Sequence, residues 1–182
     1  MRSFRSIAGQ FTATLACALA LTPNPASAAN VASVGSSAPN FTLPSQEDKQ
    51  VSLSDYKKKW VVLYFYPKDQ TTGCTLEAHN FQRDLAKYQA LNAVVLGVSL
   101  DTVESHKTFC TKDSLTFKLL ADPDHKVIDA YGVPLKTYGN MRYAERMTFL
   151  ISPDGKIVKD WDVKDIQGHS DDVLASIQSA SK

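Results

Sequence analysis

Trp60-Val61-Val62-Leu63-Tyr64-Phe65-Tyr66 is followed at once by Pro67. Seven apolar or aromatic residues without alternation are the pattern of a strand buried on both faces, as in a parallel sheet, and the proline ends it. Downstream, Ala78, Phe81, Leu85 and Tyr88 recur at three- and four-residue steps, so Cys74 to about Leu91 reads as an amphipathic helix. Ala93-Val94-Val95-Leu96-Gly97-Val98 repeats the buried-strand pattern, and Asp101 or Thr102 can cap a second helix running to about Lys112. The order strand, helix, strand, helix implies an α/β architecture.

Farther along, Leu119-Leu120 precedes an Asp122-Pro123-Asp124 turn and a short helix from His125 to Tyr131. Met147 to Ile151 and Lys156 to Trp161 flank Pro153-Asp154-Gly155 as two arms of a hairpin, and Asp171 to Ser179 closes the chain as a helix. Upstream of the deciding strand, Phe41-Thr42-Leu43 suits a short edge strand and Ser54 to Lys59 a single helical turn. The expectation is a central mixed β-sheet flanked by helices, a thioredoxin-like fold, in one domain spanning residues 40–182.

The first 28 residues differ in character. Arg2 and Arg5, the apolar run Phe11 to Leu21 and then Ala26-Ser27-Ala28 have the layout of a secretory signal peptide cleaved after Ala28. An apolar run of about eleven residues is too short for a hydrocarbon core that needs roughly 20. Residues 29–39, small and polar without apolar period, read as a flexible leader. The expected location is outside the cytoplasm: a bacterial periplasm, or a thylakoid lumen in a photosynthetic source.

Lys plus Arg number 20 against 19 Asp plus Glu, so no strong field exists to gather nucleic acid or an anionic membrane, and a small uncharged substrate is expected. Loss of residues 1–28 removes two arginines and no acid, leaving 18 against 19 and a net charge of −1. It also removes Cys17, one of three cysteines, leaving Cys74 and Cys110 where disulfides can form. His79, His106, His125 and His169 show no metal-pair spacing, Cys-x-x-Cys is absent, and no Gly-rich phosphate loop occurs. Neither a metal nor a cofactor is expected.

Pro67-Lys68-Asp69-Gln70-Thr71-Thr72-Gly73-Cys74 joins the end of a buried strand to a helix start, where open α/β sheets bind ligands. The unpaired N–H groups and partial positive charge of a helix N-terminus stabilise a thiolate. Cys74 is thus placed to be a nucleophile, although a buried, inert cysteine fits its position equally well. Lys68 and Asp69 read as exposed loop charges, Tyr64 and Phe65 as core.

The spacing of Pro67, Thr71 and Cys74 resembles the proline, threonine and cysteine pattern of peroxiredoxins. Tyr64-Phe65-Tyr66-Pro67-Lys68-Asp69, Gly73-Cys74-Thr75-Leu76-Glu77-Ala78, Ser105-His106-Lys107, Asp122-Pro123-Asp124, Ala130-Tyr131-Gly132-Val133 and Arg146-Met147-Thr148-Phe149-Leu150-Ile151 are similar to the Q-type branch, the bacterioferritin comigratory proteins. The resemblance covers essentially residues 38–180. It implies a thiol peroxidase acting on hydrogen peroxide and organic hydroperoxides, recycled by a thioredoxin-like donor, and often monomeric.

Carried over, Cys74 is the peroxidatic cysteine, attacking the nearer peroxide oxygen and becoming a sulfenic acid. Thr71 would hydrogen-bond peroxide and thiolate, Arg146 would hold the thiolate and the charge on the breaking O–O bond, and Pro67 with Gly73 would line and shield the pocket. Other readings are a turn or cap threonine and a solvent-facing strand arginine. Glu77, one turn into the helix, bonds either free N–H groups or Arg146, or complements the helix dipole.

Two positions depart from the branch. Thr72 stands where proline is usual. His79 stands where many members carry a resolving cysteine, five residues after the peroxidatic one. Some members place it in the next helix, which makes Cys110 the resolving candidate; small core packing, and a permanent structural disulfide that would consume the only candidate nucleophile, are the other readings. A one-cysteine peroxidase and a non-catalytic redox sensor or binding module on the same fold are the rival functions.

Overall fold

In a computed structural model of the chain, Met1 and residues 32–181 are described; the signal-peptide reading of residues 1–28 lies outside them apart from Met1. The deciding stretch forms strand β3 (Trp60–Phe65), with β1 (Thr42–Pro44) and β2 (Gln50–Ser52) before it and a 3-10 turn at Leu53–Tyr56 between. Helix α1 (Thr72–Ala90), β4 (Ala93–Ser99), α2 (Val103–Asp113), β5 (Lys118–Ala121) and α3 (Lys126–Ala130) follow. The hairpin β6 (Leu135–Tyr138) and β7 (Met141–Ala144) precedes β8 (Met147–Ile151), β9 (Ile157–Asp162) and α4 (His169–Ala180).

A five-stranded sheet of order β5-β4-β3-β8-β9 forms the centre. β3 pairs in parallel with β4, and β4 with β5, whereas β8 lies antiparallel to both β3 and β9. The sheet is therefore mixed, and the fold is the expected thioredoxin-like α/β arrangement.

Alternation along β3 explains why the strand has no polar face. Trp60, Val62, Tyr64 and Tyr66 enter a core with Ala78, Phe81 and Tyr88 of α1, Phe109 and Cys110 of α2, and Val173 and Ile177 of α4. Val61, Leu63 and Phe65 enter a second core with Leu43, Val51, Val127, Ile128 and Tyr131. Both sides are covered, so both sets of side chains are apolar.

Gly97 of β4 carries a packing requirement. A methyl group there would meet the Tyr64 ring, its hydroxyl and Leu119 Cδ2 at 2.7 Å each. The absence of a side chain lets Tyr64 lie flat across the neighbouring strand.

Two sequence expectations change, and one element is added. The reading of 29–39 as a flexible leader fails from Ala32 onward, because that alanine is buried and Gly35 N donates to Ile157 O, Ala38 N to Gly155 O, with Ser37 bridged to Lys156. The backbone of this polar segment extends the β8–β9 hairpin, an interaction no side-chain pattern reports. The β6–β7 hairpin had no counterpart in the reading. Finally, the first core helix begins at Thr72 with Thr71 as its N-cap, two residues ahead of Cys74. Among the described residues no helix is long and apolar enough to cross a membrane.

Candidate active site

At the carboxyl end of β3 the chain runs from half-buried Pro67 through a loop whose Gln70 adopts φ +59°. Thr71, extended at φ −77° and ψ 151°, then starts α1. Its carbonyl accepts from Thr75 N, and its hydroxyl donates to Lys68 O at 3.1 Å, not to Cys74. Thr72 occupies the first helical position, where a proline loses nothing because that N–H has no intrahelical acceptor. A threonine there keeps the backbone path that the usual proline would favour.

Cys74 falls in the first turn, 1% exposed, with a free thiol. Arg146 reaches it from the short link between β7 and β8, just ahead of the strand the sequence places at Met147 to Ile151. Its Nη2 donates to Cys74 Sγ at 3.3 Å and its Nη1 donates to Glu77 Oε2. Glu77 and Cys74 are three residues apart and so share a helix face, which lets one guanidinium reach both. The side chains of Arg146 and Glu77 are only 12% and 1% exposed, so the ion pair is sheltered from water.

Burial pushes the Glu77 carboxyl up to about 7, against the opposing charge and bond of Arg146. Glu77 Oε1 has no hydrogen-bond partner among the described residues, in keeping with an oxygen that readily carries a proton. Gly73 forms the other wall: a methyl on it would stand 3.5 Å from Arg146 Nη2 and 3.4 Å from Ile166 Cδ1. Ile166 is held there through its carbonyl, which accepts from Asn80 Nδ2.

Cys110 lies on α2, buried and free. Burial pushes its thiol up to about 12, with Asp69 and Asp113 adding to the effect. The sulfur is therefore protonated at neutral pH while the helix stays packed. Burial, then charge at Glu77, Cys74 and Cys110, pushes the Tyr64 hydroxyl well above its ordinary range, as expected of a ring that lies near both cysteines.

Cys74, Glu77, Arg146 and Gly73 thus form one cluster, Thr71 caps its helix, Pro67 precedes its loop, and Cys110 belongs to the same core on a separate helix. Asp69 is the correction. Read as an exposed loop charge, it is 5% exposed and accepts from Tyr66 Oη at 2.7 Å, Ser105 Oγ at 2.6 Å and His106 Nδ1 at 2.9 Å. Burial raises its carboxyl, yet these bonds outweigh it and the net shift is downward. One signal was present: His106 falls on the apolar face of its helix with Phe109 and Cys110, where a polar ring needs a buried partner.

The sequence matches the AhpC/TSA family over residues 34–160. Peroxiredoxin Bcp of Bacillus subtilis is 40% identical over 152 residues, covering 82% of this chain and 97% of that protein. Among solved structures, a cysteine-to-serine mutant of PrxQ from Xylella fastidiosa superposes with a TM-score of 0.77 at 38% identity, covering 83% of this chain and 98% of that one. The peroxidoxin BcpB of Mycobacterium tuberculosis gives 0.76 at 29% identity, covering 81% and 97%. With a cysteine and a buried arginine meeting at the first turn of α1, this chain belongs to the AhpC/TSA family as a thiol-based peroxidase of the PrxQ/Bcp branch.

Proposed function

We propose that Cys74 is the peroxidatic cysteine and that Cys110 resolves its oxidised form within one chain. The observation that carries this reading is the 3.3 Å approach of Arg146 Nη2 to Cys74 Sγ. A guanidinium there stabilises the thiolate and then the negative charge that grows on the departing oxygen. Glu77 fixes the guanidinium from its other side.

The thiolate attacks the nearer peroxide oxygen, the O–O bond breaks, and the distal oxygen leaves as water or alcohol after taking a proton. Cys74 is left as a sulfenic acid. The Thr71 hydroxyl, donated to Lys68 O, keeps its lone pairs to accept from the peroxide O–H. Pro67 and Gly73 bound the pocket, and hydrogen peroxide and organic hydroperoxides are the substrates.

Cys110 sulfur then attacks Cys74 sulfur, the S–O bond breaks, and hydroxide leaves with the Cys110 proton as water. The resulting disulfide is reduced by a thioredoxin-like dithiol, which returns both thiols. Both cysteines lie in one domain, so the cycle needs one chain only. Export by residues 1–28 supplies a compartment that tolerates the oxidised form.

Intact-mass measurement of the mature protein after one equivalent of peroxide tests the cycle. Loss of two hydrogens is expected, and Cys110→Ser should instead gain one oxygen. Wild-type protein that gains one oxygen and stops there points to the one-cysteine peroxidase, and unchanged mass with unchanged thiol content overturns the assignment of Cys74. N-terminal sequencing of the protein from an exporting host should begin at Ala29; an intact Met1 overturns export.

A further inference from the structure

The loop that leads to Cys74 and the helix that carries Cys110 are bolted together by a buried polar cluster the peroxide chemistry does not use. Asp69 on the loop receives hydrogen bonds from Ser105 and His106, both in the first turn of α2, and from Tyr66 at the end of β3. Asp69 N donates in turn to Asp101 Oδ2 at 2.9 Å, and Lys68 Nζ reaches Asp101 Oδ1 at 3.2 Å. His106 is fully buried. Its Nε2 has no partner among the described residues, so the ring's polar anchorage runs through Nδ1 to Asp69 and Tyr66.

His106 and Cys110 are four residues apart and both face the core. A disulfide demands sulfurs about 2.05 Å apart in a narrow dihedral range. Two thiols held free on separate packed helices meet this only if a helix opens. Opening α2 frees Cys110 from the burial that keeps it protonated, and it must first break the bonds to Asp69.

We propose that the Asp69–His106 pair, supported by Ser105, is a latch that holds the Cys110 helix on the peroxidatic loop and thereby sets how fast the Cys74 sulfenic acid is resolved. This rests on the two-cysteine cycle above. His106 and Asp69 act as positioning residues: neither has a hydrogen bond to Cys74 or Arg146. A closed latch preserves the pocket for peroxide but lowers the population of the open form from which the disulfide is made. It also lengthens the life of the sulfenic acid, and with it the exposure to a second peroxide that drives it to sulfinic acid.

Quenched-flow mass spectrometry of His106→Ala separates the two steps. Sulfenic acid formation should stay within about twofold of wild type, while conversion to the disulfide should quicken about tenfold, the effect of one net hydrogen bond on the opening equilibrium. The sulfinic fraction in excess peroxide should fall, and hydrogen exchange should rise over residues 103–113 but not across the central sheet. Ser105→Ala, which keeps the ring and deletes only the Ser105 hydroxyl bond to Asp69, should shift the same readouts by about threefold, the low end for one net hydrogen bond, and serves if His106→Ala does not fold.

Disulfide formation unchanged or slowed in a folded variant overturns the latch, as does exchange that rises throughout the sheet. Wild-type protein that never forms the bridge overturns the two-cysteine cycle and the latch with it. A bridge formed by wild type at a rate both variants leave untouched overturns the latch alone.

Discussion

Arg146 Nη2 donates to Cys74 Sγ across 3.3 Å while Nη1 of the same guanidinium is bonded to Glu77, so one side chain joins a helix turn to a link 72 residues later in the chain. Arg146→Ala should lower kcat/KM for hydrogen peroxide by about 10²–10³-fold, the effect of removing one preorganised donor. It also strands Glu77 in the core, so stability should fall. Arg146→Ala combined with Glu77→Gln should recover much of the stability and none of the rate. Chemical denaturation beside peroxide kinetics reads the two effects separately.

Glu77 gives stability a pH dependence. Its carboxyl is up at about 7 in the folded protein against an ordinary value of 4.5, so the folded state binds the proton more tightly than the unfolded chain. The stabilisation is complete below about 4.5 and is lost as pH rises through about 7, amounting to about 3 kcal/mol at most. Denaturant midpoints from pH 5 to 8 should show this decline in wild type and a flatter profile in Glu77→Gln.

Cys110 is protonated and shielded while α2 is in place. Iodoacetamide at pH 8 should therefore leave Cys110 of the reduced, folded protein nearly unmodified over times in which a free thiol reacts fully, and should modify it at once in guanidinium. Peptide mass mapping locates the label. Rapid labelling of Cys110 in the folded state would contradict the packing described.

Gly97→Ala places a methyl 2.7 Å from Tyr64 and Leu119. Because those atoms belong to packed core side chains, the substitution should destabilise by about 1–3 kcal/mol, visible as a lowered Tm. Tyr64 is the ring displaced, and it borders both cysteines, so peroxide turnover should fall as well.

The parts of the fold legible in the sequence were those whose side-chain pattern reports burial. The unbroken apolar run of β3, its repeat in β4 and the three- and four-residue steps of α1 each specify a face and a neighbour. The β6–β7 hairpin was illegible because most of its side chains are exposed and impose no alternation. Residues 32–38 were missed for a related reason, since their contacts are mostly backbone bonds to Gly155 and Ile157, with only the small side chains of Ala32 and Ala38 reaching the core. Cys74, Thr71 and Arg146 were found together only through the family resemblance, because nothing local links a loop cysteine to an arginine 72 positions on. Asp69 shows the limit most plainly. A charged loop residue is ordinarily solvated, and its partners Ser105 and His106 lie 36 and 37 residues away.

The near-complete shielding of Cys74, at 1% exposure, bears on which molecules can trade electrons with it. At that exposure a small peroxide should still react with the sulfur of the folded protein, whereas a protein disulfide or thiol, being far broader, should not. The reduced enzyme is thereby insulated from oxidised protein thiols around it. On the proposed two-cysteine cycle, its electron donor engages only after peroxide has reacted and the helix has opened. Peroxide first, dithiol second: the order of the two half-reactions is imposed by access alone.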